Sequence, residues 1–99
     1  MKKTKAIVAK DAFELAHVLG LSSADGFEIK MRSELNDKII SVVQKKGLTH
    51  AQVAKLAGTS RTRITAIMNR NTTGISTDLM LRIIASLGVQ AKIVFERAA

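Results

Sequence analysis

Seven cations lie in a forty-residue stretch, from Lys38 to Thr77, that contains no aspartate or glutamate. The whole chain has 16 basic and 8 acidic residues and a formal charge of +8. The seven cations, which we call the basic block, are Lys38, Lys45, Lys46, Lys55, Arg61, Arg63 and Arg70. Such a run of uncompensated positive charge is typical of a protein that binds a polyanion.

The aromatic residues narrow the choice of polyanion. Phe13, Phe27 and Phe95 are the only aromatic side chains, because the chain has no tryptophan or tyrosine. Single-stranded nucleic acids and RNA loops are bound by stacking their bases on aromatic side chains. The composition therefore favours double-stranded DNA, which is contacted through its phosphates and grooves.

Few residues could support catalysis or hold a metal. His17 and His50 have no cysteine and no neighbouring carboxylate at a metal-ligand spacing, so no zinc site is predicted. Ser22 and Ser23 lack the third group that a serine–histidine pair needs. Three methionines are interpreted as core residues rather than ligands, namely Met31, Met68 and Met80. We expect no enzyme activity, no metal and no cofactor.

The length and composition indicate one compact domain. A chain of 99 residues without cysteine buries a limited core and has no disulfide, so oligomerisation is the expected source of further stability. The apolar run at residues 6–9 is too short for a signal peptide, and no stretch has membrane-spanning length. We expect a cytoplasmic protein that contacts no membrane.

Helices are predicted to position the basic block. Apolar residues recur at steps of three and four, glycines follow the predicted C-termini, and Thr49, Ser60 and either Ser76 or Thr77 precede the N-termini as caps. The helices are predicted at residues 12–19, 27–46, 50–57, 61 to about 70 and 78–87. Residues 89–96 alternate in polarity as a half-buried strand does. The predicted fold is mainly α, with four or five helices and a C-terminal β-strand. Its parts are an N-terminal arm with a short helix (1–26), a central helical region (27–88) and a strand with a tail (89–99).

Residues 50–69 meet the steric demands of two helices that cross through a tight turn. Ala54 is small at the crossing point, and Gly58 tolerates the positive φ that the turn needs. Ile64 and Ile67 lie one turn apart and can face the first helix of the pair. This window therefore predicts a helix-turn-helix.

Residues 27–97 resemble the Cro/cI-type (XRE) helix-turn-helix family. More narrowly, residues 47–64, which read GLTHAQVAKLAGTSRTRI, are similar to the signature of small antitoxins of the HigA type. The chain departs from the family at His50 and Arg61, where glutamine is frequent. The first change affects the usual phosphate contact at that position, and the second implies a different operator sequence.

The resemblance implies that the third predicted helix enters the major groove. Arg61 and Arg63 are predicted to contact guanine, because a guanidinium bonds its N7 and O6 together, and either arginine could instead meet a phosphate. Thr62 and Thr65 are predicted to read bases through single hydrogen bonds or their methyl groups. The residues predicted to contact phosphates are Thr49, Gln52, Lys55, Ser60, Asn69 and Arg70.

The predicted strand implies a homodimer. A lone strand leaves its backbone amides and carbonyls unpaired, so the same strand of a second copy is the expected partner. Ala91, Ile93 and Phe95 are the predicted pairing face, and residues 5–9 of the same chain are the alternative partner. A dimer would bind a palindromic operator.

The expected function is transcriptional repression. The resemblance implies an antitoxin that represses its own operon and binds a RelE/HigB-like toxin, and a stand-alone phage-type or metabolic regulator is the alternative. An interaction module that no longer binds DNA is disfavoured by the basic block. Residues 1–26 carry apolar side chains that either cap the core or cover the toxin.

Overall fold

Four helices make up the regular structure in the computed structural model, which describes residues 23–95 and Arg97. They are α1 (Ser23–Lys46), α2 (His50–Ala57), α3 (Arg61–Met68) and α4 (Thr77–Ser86). No helix in this part of the chain is long and apolar enough to cross a membrane. The predicted helix at residues 12–19 lies outside the described residues.

The core of the second half of the molecule is built from all four helices. The chain divides into two compact units within α1, between Leu35 and Asn36. In the second unit, α2 packs against both α3 and α4. The buried apolar residues of this unit are Ile39, Val42, Val43, Val53, Ala54, Ala57, Ile64, Ile67, Ile75, Met80, Ile83, Ile84 and Leu87. The burial of a side chain of this size contributes about 1.5–3 kcal/mol.

Three helices begin at caps that the sequence predicts. The hydroxyl oxygens of Thr49, Ser60 and Ser76 each accept a hydrogen bond from the backbone N–H three residues later, at 3.1, 3.2 and 3.1 Å. Gln52 completes a capping box, because its Oε1 accepts from the N–H of Thr49 at 2.8 Å. Each cap satisfies a backbone donor that the helix itself leaves unpaired and contributes about 1 kcal/mol.

The boundaries of three helices differ from those predicted, and α4 differs by only one residue at each end. The first predicted helix starts at Phe27, whereas α1 already starts at Ser23 and includes Gly26. Asp25 lies in its first turn, where a negative charge favours the helix, and one glycine costs a helix only about 1 kcal/mol. The third predicted helix runs to about Arg70, but α3 ends at Met68.

The prediction of a C-terminal strand is wrong for the single chain. Residues 89–95 have no regular secondary structure, and the described residues contain no strand at all. Ile93, Val94 and Phe95 are 76, 72 and 91% exposed, so the predicted half-buried alternation is also absent. The physical reason is that a strand needs a neighbouring strand to pair with, and residues 23–95 offer none.

The predicted core positions are confirmed in the second unit except at Met68, which is only half-buried, and one position fails in the first unit. Met80, Ile83, Ile84 and Leu87 are buried as predicted. Met31 shares the apolar stripe of α1 but is 42% exposed, so the buried part of that stripe begins at Leu35.

Candidate nucleic-acid interface

The crossing of α2 and α3 has the geometry that the sequence requires. Gly58 has a φ of 69°, in the left-handed region that glycine adopts without a steric penalty. The N–H of Thr59 donates to the carbonyl of Ala54 at 3.0 Å, which closes the end of α2 and turns the chain toward α3. Ile64 and Ile67 are fully buried, so the inner face of α3 is fixed by the core.

The outer face of α3 is available for binding. Successive residues of a helix are rotated by about 100°, which places Thr62, Thr65 and Asn69 opposite the two buried isoleucines. Thr62 and Asn69 are exposed, and Thr65 is half-buried. Arg61 and Arg63 are exposed and lie on the two opposite edges of this face. The structure therefore places Thr62, Thr65 and the C-cap residue Asn69 on one face, with Arg61 and Arg63 at its two edges.

Thr65 has a partner that the sequence does not predict. Nδ1 of His50, at the start of α2, lies 2.8 Å from Oγ1 of Thr65 in a half-buried hydrogen bond. The bond joins two helices across fifteen residues of sequence. It ties a predicted base-reading hydroxyl to the position where the resembling family often has glutamine.

Several predicted phosphate-contacting groups have local structural roles. The hydroxyls of Thr49 and Ser60 cap α2 and α3, and the carbonyl oxygen of the Gln52 side chain completes the capping box. Lys55 is exposed on α2. The helix N-termini at Thr49 and Ser60 keep the favourable dipole for an anion, but these hydroxyls are engaged.

Arg70 follows α3 in an unusual backbone conformation. Its φ is 60°, and the residues with the same sign of φ at the ends of α1, α2 and α4 are Gly47, Gly58 and Gly88. At the end of α3 the N–H of Asn71 donates to Ala66 at 2.8 Å and that of Arg70 donates to Ile67 at 3.0 Å. This is a Schellman motif with arginine in place of glycine. An L-residue pays about 1 kcal/mol for this conformation.

The side chain of Arg70 forms an ion pair with Asp37 of α1. Both side chains are 59% exposed, so the pair contributes at most about 1 kcal/mol of stability. Asp37 directly precedes the basic block in the sequence, and its ion pair with Arg70 compensates one of the seven cations. Among the described residues, none of the other six forms an ion pair.

The comparison with protein families agrees with the helix-turn-helix geometry of α2 and α3. A helix-turn-helix domain family model matches residues 17–96, which is most of the chain. The chain belongs to this helix-turn-helix domain family. Its members' fold suggests a DNA-binding regulator. No curated protein and no solved structure matches the chain.

The recognition helix of this helix-turn-helix domain is held at its C-terminal end by a buried polar residue. Asn36 of α1 is 6% exposed, and its Nδ2 donates to the backbone carbonyl of Ile67 at 2.9 Å. The carbonyl belongs to the last turn of α3, so the bond fixes the tilt of that helix. Burying an amide without a hydrogen-bond partner costs folding free energy, so this bond offsets the burial of Asn36.

Asn36→Asp should destabilise the domain by at least about 2 kcal/mol at neutral pH. The substituted side chain has the same shape, but an ionised carboxylate is an acceptor and cannot donate to the carbonyl of Ile67. Ser41→Asp is the matched control, because it adds the same charge at an exposed position of α1 and should change stability by less than about 0.5 kcal/mol. Urea unfolding measures both. Equal midpoints for the two variants would show that the bond carries no stability.

Three residues at the candidate interface are not among those that the sequence predicts to contact DNA. Ala66 is half-buried on the outer face of α3, where its methyl group can meet a thymine methyl. His50 and Asp37 contact the predicted DNA-contacting residues Thr65 and Arg70. Helical periodicity could have found Ala66, whereas the other two depend on how the helices cross.

Proposed function

We propose that the protein is a sequence-specific repressor of the XRE type that binds double-stranded DNA in the cytoplasm, without enzymatic activity. The observation that carries this proposal is the outer face of α3, where Arg61, Thr62 and Thr65 are set on a rigid helix. A helix fits the major groove, and these side-chain types can tell base pairs apart there. The uncompensated cations of the basic block support attraction to the phosphates.

Repression is tested on the DNA upstream of the protein's own reading frame. At about 0.15 M salt, we expect a nuclease footprint over the promoter and reduced transcription in a purified system. A variant with both Arg61→Ala and Arg63→Ala serves as the control and should give neither. A wild-type protein that leaves promoter DNA unprotected and transcription unchanged would contradict repression at this site.

Arg70 is proposed to contact a phosphate, since an arginine occupies a backbone position that favours glycine. Arg70→Gly should change the free energy of unfolding by less than about 1 kcal/mol, because relief of the strained φ offsets the lost ion pair and the more flexible unfolded chain. Binding to all duplexes should weaken alike, and the slope of log affinity against log salt should fall by about 1.

Asp37→Asn is the opposite change and completes the test of Arg70. It removes the carboxylate that pairs with the guanidinium, so non-specific DNA affinity should rise. DNA titrations of both variants at several salt concentrations measure these effects. If Arg70→Gly leaves the salt slope unchanged, the phosphate contact is not made.

A homodimer is proposed to place two recognition helices on a palindromic operator. The exposed apolar side chains of Ile93 and Phe95 support this, and Ala91 shares their position in the alternating sequence pattern. Pairing with the same segment of a second copy would satisfy the backbone groups of residues 89–95 and cover both side chains. Two recognition helices would then lie about 34 Å apart, which is one turn of DNA.

The physiological role that we propose is that of a HigA-type antitoxin, and its support is the similarity of residues 47–64 to that signature. A short basic reading frame of RelE/HigB type beside this one, whose product co-purifies with the full chain, is the expected result. A neighbourhood without such a frame would favour the stand-alone regulator. A chain starting at Phe27 that still binds the toxin would contradict toxin recognition by residues 1–26.

A further inference from the structure

The hydrogen bond between His50 and Thr65 links the start of α2 to the middle of the recognition helix. Nδ1 of His50 and Oγ1 of Thr65 are 2.8 Å apart, and both residues are half-buried. Thr62, the other threonine on this outer face, has an exposed side chain. Thr65 is therefore the base-reading candidate whose hydroxyl is engaged by another part of the protein.

A threonine in a helix has two accessible rotamers, because its hydroxyl can bond a backbone carbonyl in the preceding turn. The bond to His50 selects the rotamer in which Oγ1 points to α2. It thereby also fixes the direction of the methyl group. In the absence of His50, the hydroxyl of Thr65 could return to the carbonyl one turn earlier, and the methyl group would move with it.

The bond also controls what the hydroxyl offers to DNA. A threonine hydroxyl has one proton and two lone pairs, and a neutral imidazole nitrogen either donates or accepts. If Nδ1 accepts, the proton of Thr65 is used, and the hydroxyl can only accept from the amino group of adenine or cytosine. If Nδ1 carries a proton, the hydroxyl can donate to an acceptor of guanine or thymine.

We propose that His50 is a specificity-determining positioning residue, which sets the rotamer and the hydrogen-bonding role of Thr65 toward one base pair of the operator. The proposal rests on the proposed function, because it requires α3 to lie in the major groove. His50 needs no contact with a base itself. A purely structural tie between α2 and α3 would instead affect binding to every sequence equally.

The test compares base preference at each operator position, selected from a randomised duplex library at one salt concentration. We expect His50→Phe, which keeps the ring and loses the hydrogen bond, to reduce discrimination at one base pair about tenfold, within the range of a single readout contact. Thr65→Val should reduce it at the same base pair. The double variant should lose no more than either single variant, because the two residues act through one bond.

His50→Asn should keep the wild-type base preference, because the asparagine amide lies close to the position of Nδ1 and can donate or accept a hydrogen bond. His50→Gln places its amide nearer the position of Nε2 and should behave as His50→Phe. This second variant carries the prediction if the phenylalanine variant does not fold. Urea unfolding of each protein shows which variants are folded.

An unchanged base preference in folded His50→Phe and His50→Gln, with affinity lowered equally for all sequences, would overturn the proposal. Additive losses in the double variant would overturn it as well. A wild-type protein that selects no sequence would instead contradict the proposed function. The two failures are therefore distinguishable in the same experiment.

Discussion

A protein carrying both Ile93→Asp and Phe95→Asp should be monomeric and should bind its operator about 100- to 10,000-fold more weakly than the wild type. In a dimer, binding of one recognition helix to its half-site holds the second helix at a high effective concentration near the other half-site. A monomer lacks this advantage. The burial of the two apolar side chains is worth roughly 3–6 kcal/mol before the cost of ordering. Aspartates at positions 93 and 95 would instead place two carboxylate charges in the dimer interface.

Sedimentation equilibrium and titrations of full and half operators measure this effect. Gln90→Asp with Val94→Asp is the matched control, because it changes the net charge equally and lies on the opposite side of the alternating segment. We expect this control to stay dimeric. If the Ile93 and Phe95 variant also remains a dimer with full operator affinity, the interface lies elsewhere, and residues 79–87, on α4 and at its C-cap, are the next candidate.

Arg61→Ala and Arg63→Ala should each weaken binding to the specific site by about 1–3 kcal/mol, or roughly 5- to 150-fold. Both side chains are exposed on the outer edges of α3, so their removal should leave folding stability within about 0.5 kcal/mol. Non-specific binding should fall much less, because the cations predicted to contact phosphates, Lys55 and Arg70, remain in each variant.

Arg82→Ala provides the control for the arginine variants. Arg82 is an exposed cation on α4, outside the basic block, and its loss removes the same charge without touching α3. Titrations against operator variants and random duplex DNA separate the two effects. If an α3 arginine variant changes only the salt slope and keeps the base preference, that arginine contacts a phosphate rather than a guanine.

The elements that the sequence predicted correctly are those with a local chemical signal. Thr49 and Ser60 cap their helices through bonds to residues three positions away, and Gly58 reverses the chain within its own turn. The end of α3 was misplaced because its left-handed residue is Arg70, which gives no glycine signal. Local rules therefore found the helix-turn-helix but missed one of its boundaries.

The contacts that the sequence could not give depend on tertiary geometry. Asn36 meets Ile67 across thirty-one residues, and His50 meets Thr65 across fifteen. No spacing rule relates such pairs, since they are set by the angles at which the helices cross. Alternating polarity at residues 89–95 likewise cannot tell whether a partner strand exists.

Selection of binding sites from a random duplex library tests most directly whether α3 reads DNA sequence. We expect the wild-type protein to enrich a palindrome with half-site centres about 10 base pairs apart, bound at least about 1,000-fold more tightly than random duplex at the same salt. Enrichment of no sequence, with equal affinity for every duplex and a steep salt dependence, would contradict the central claim and leave only non-specific binding to phosphates.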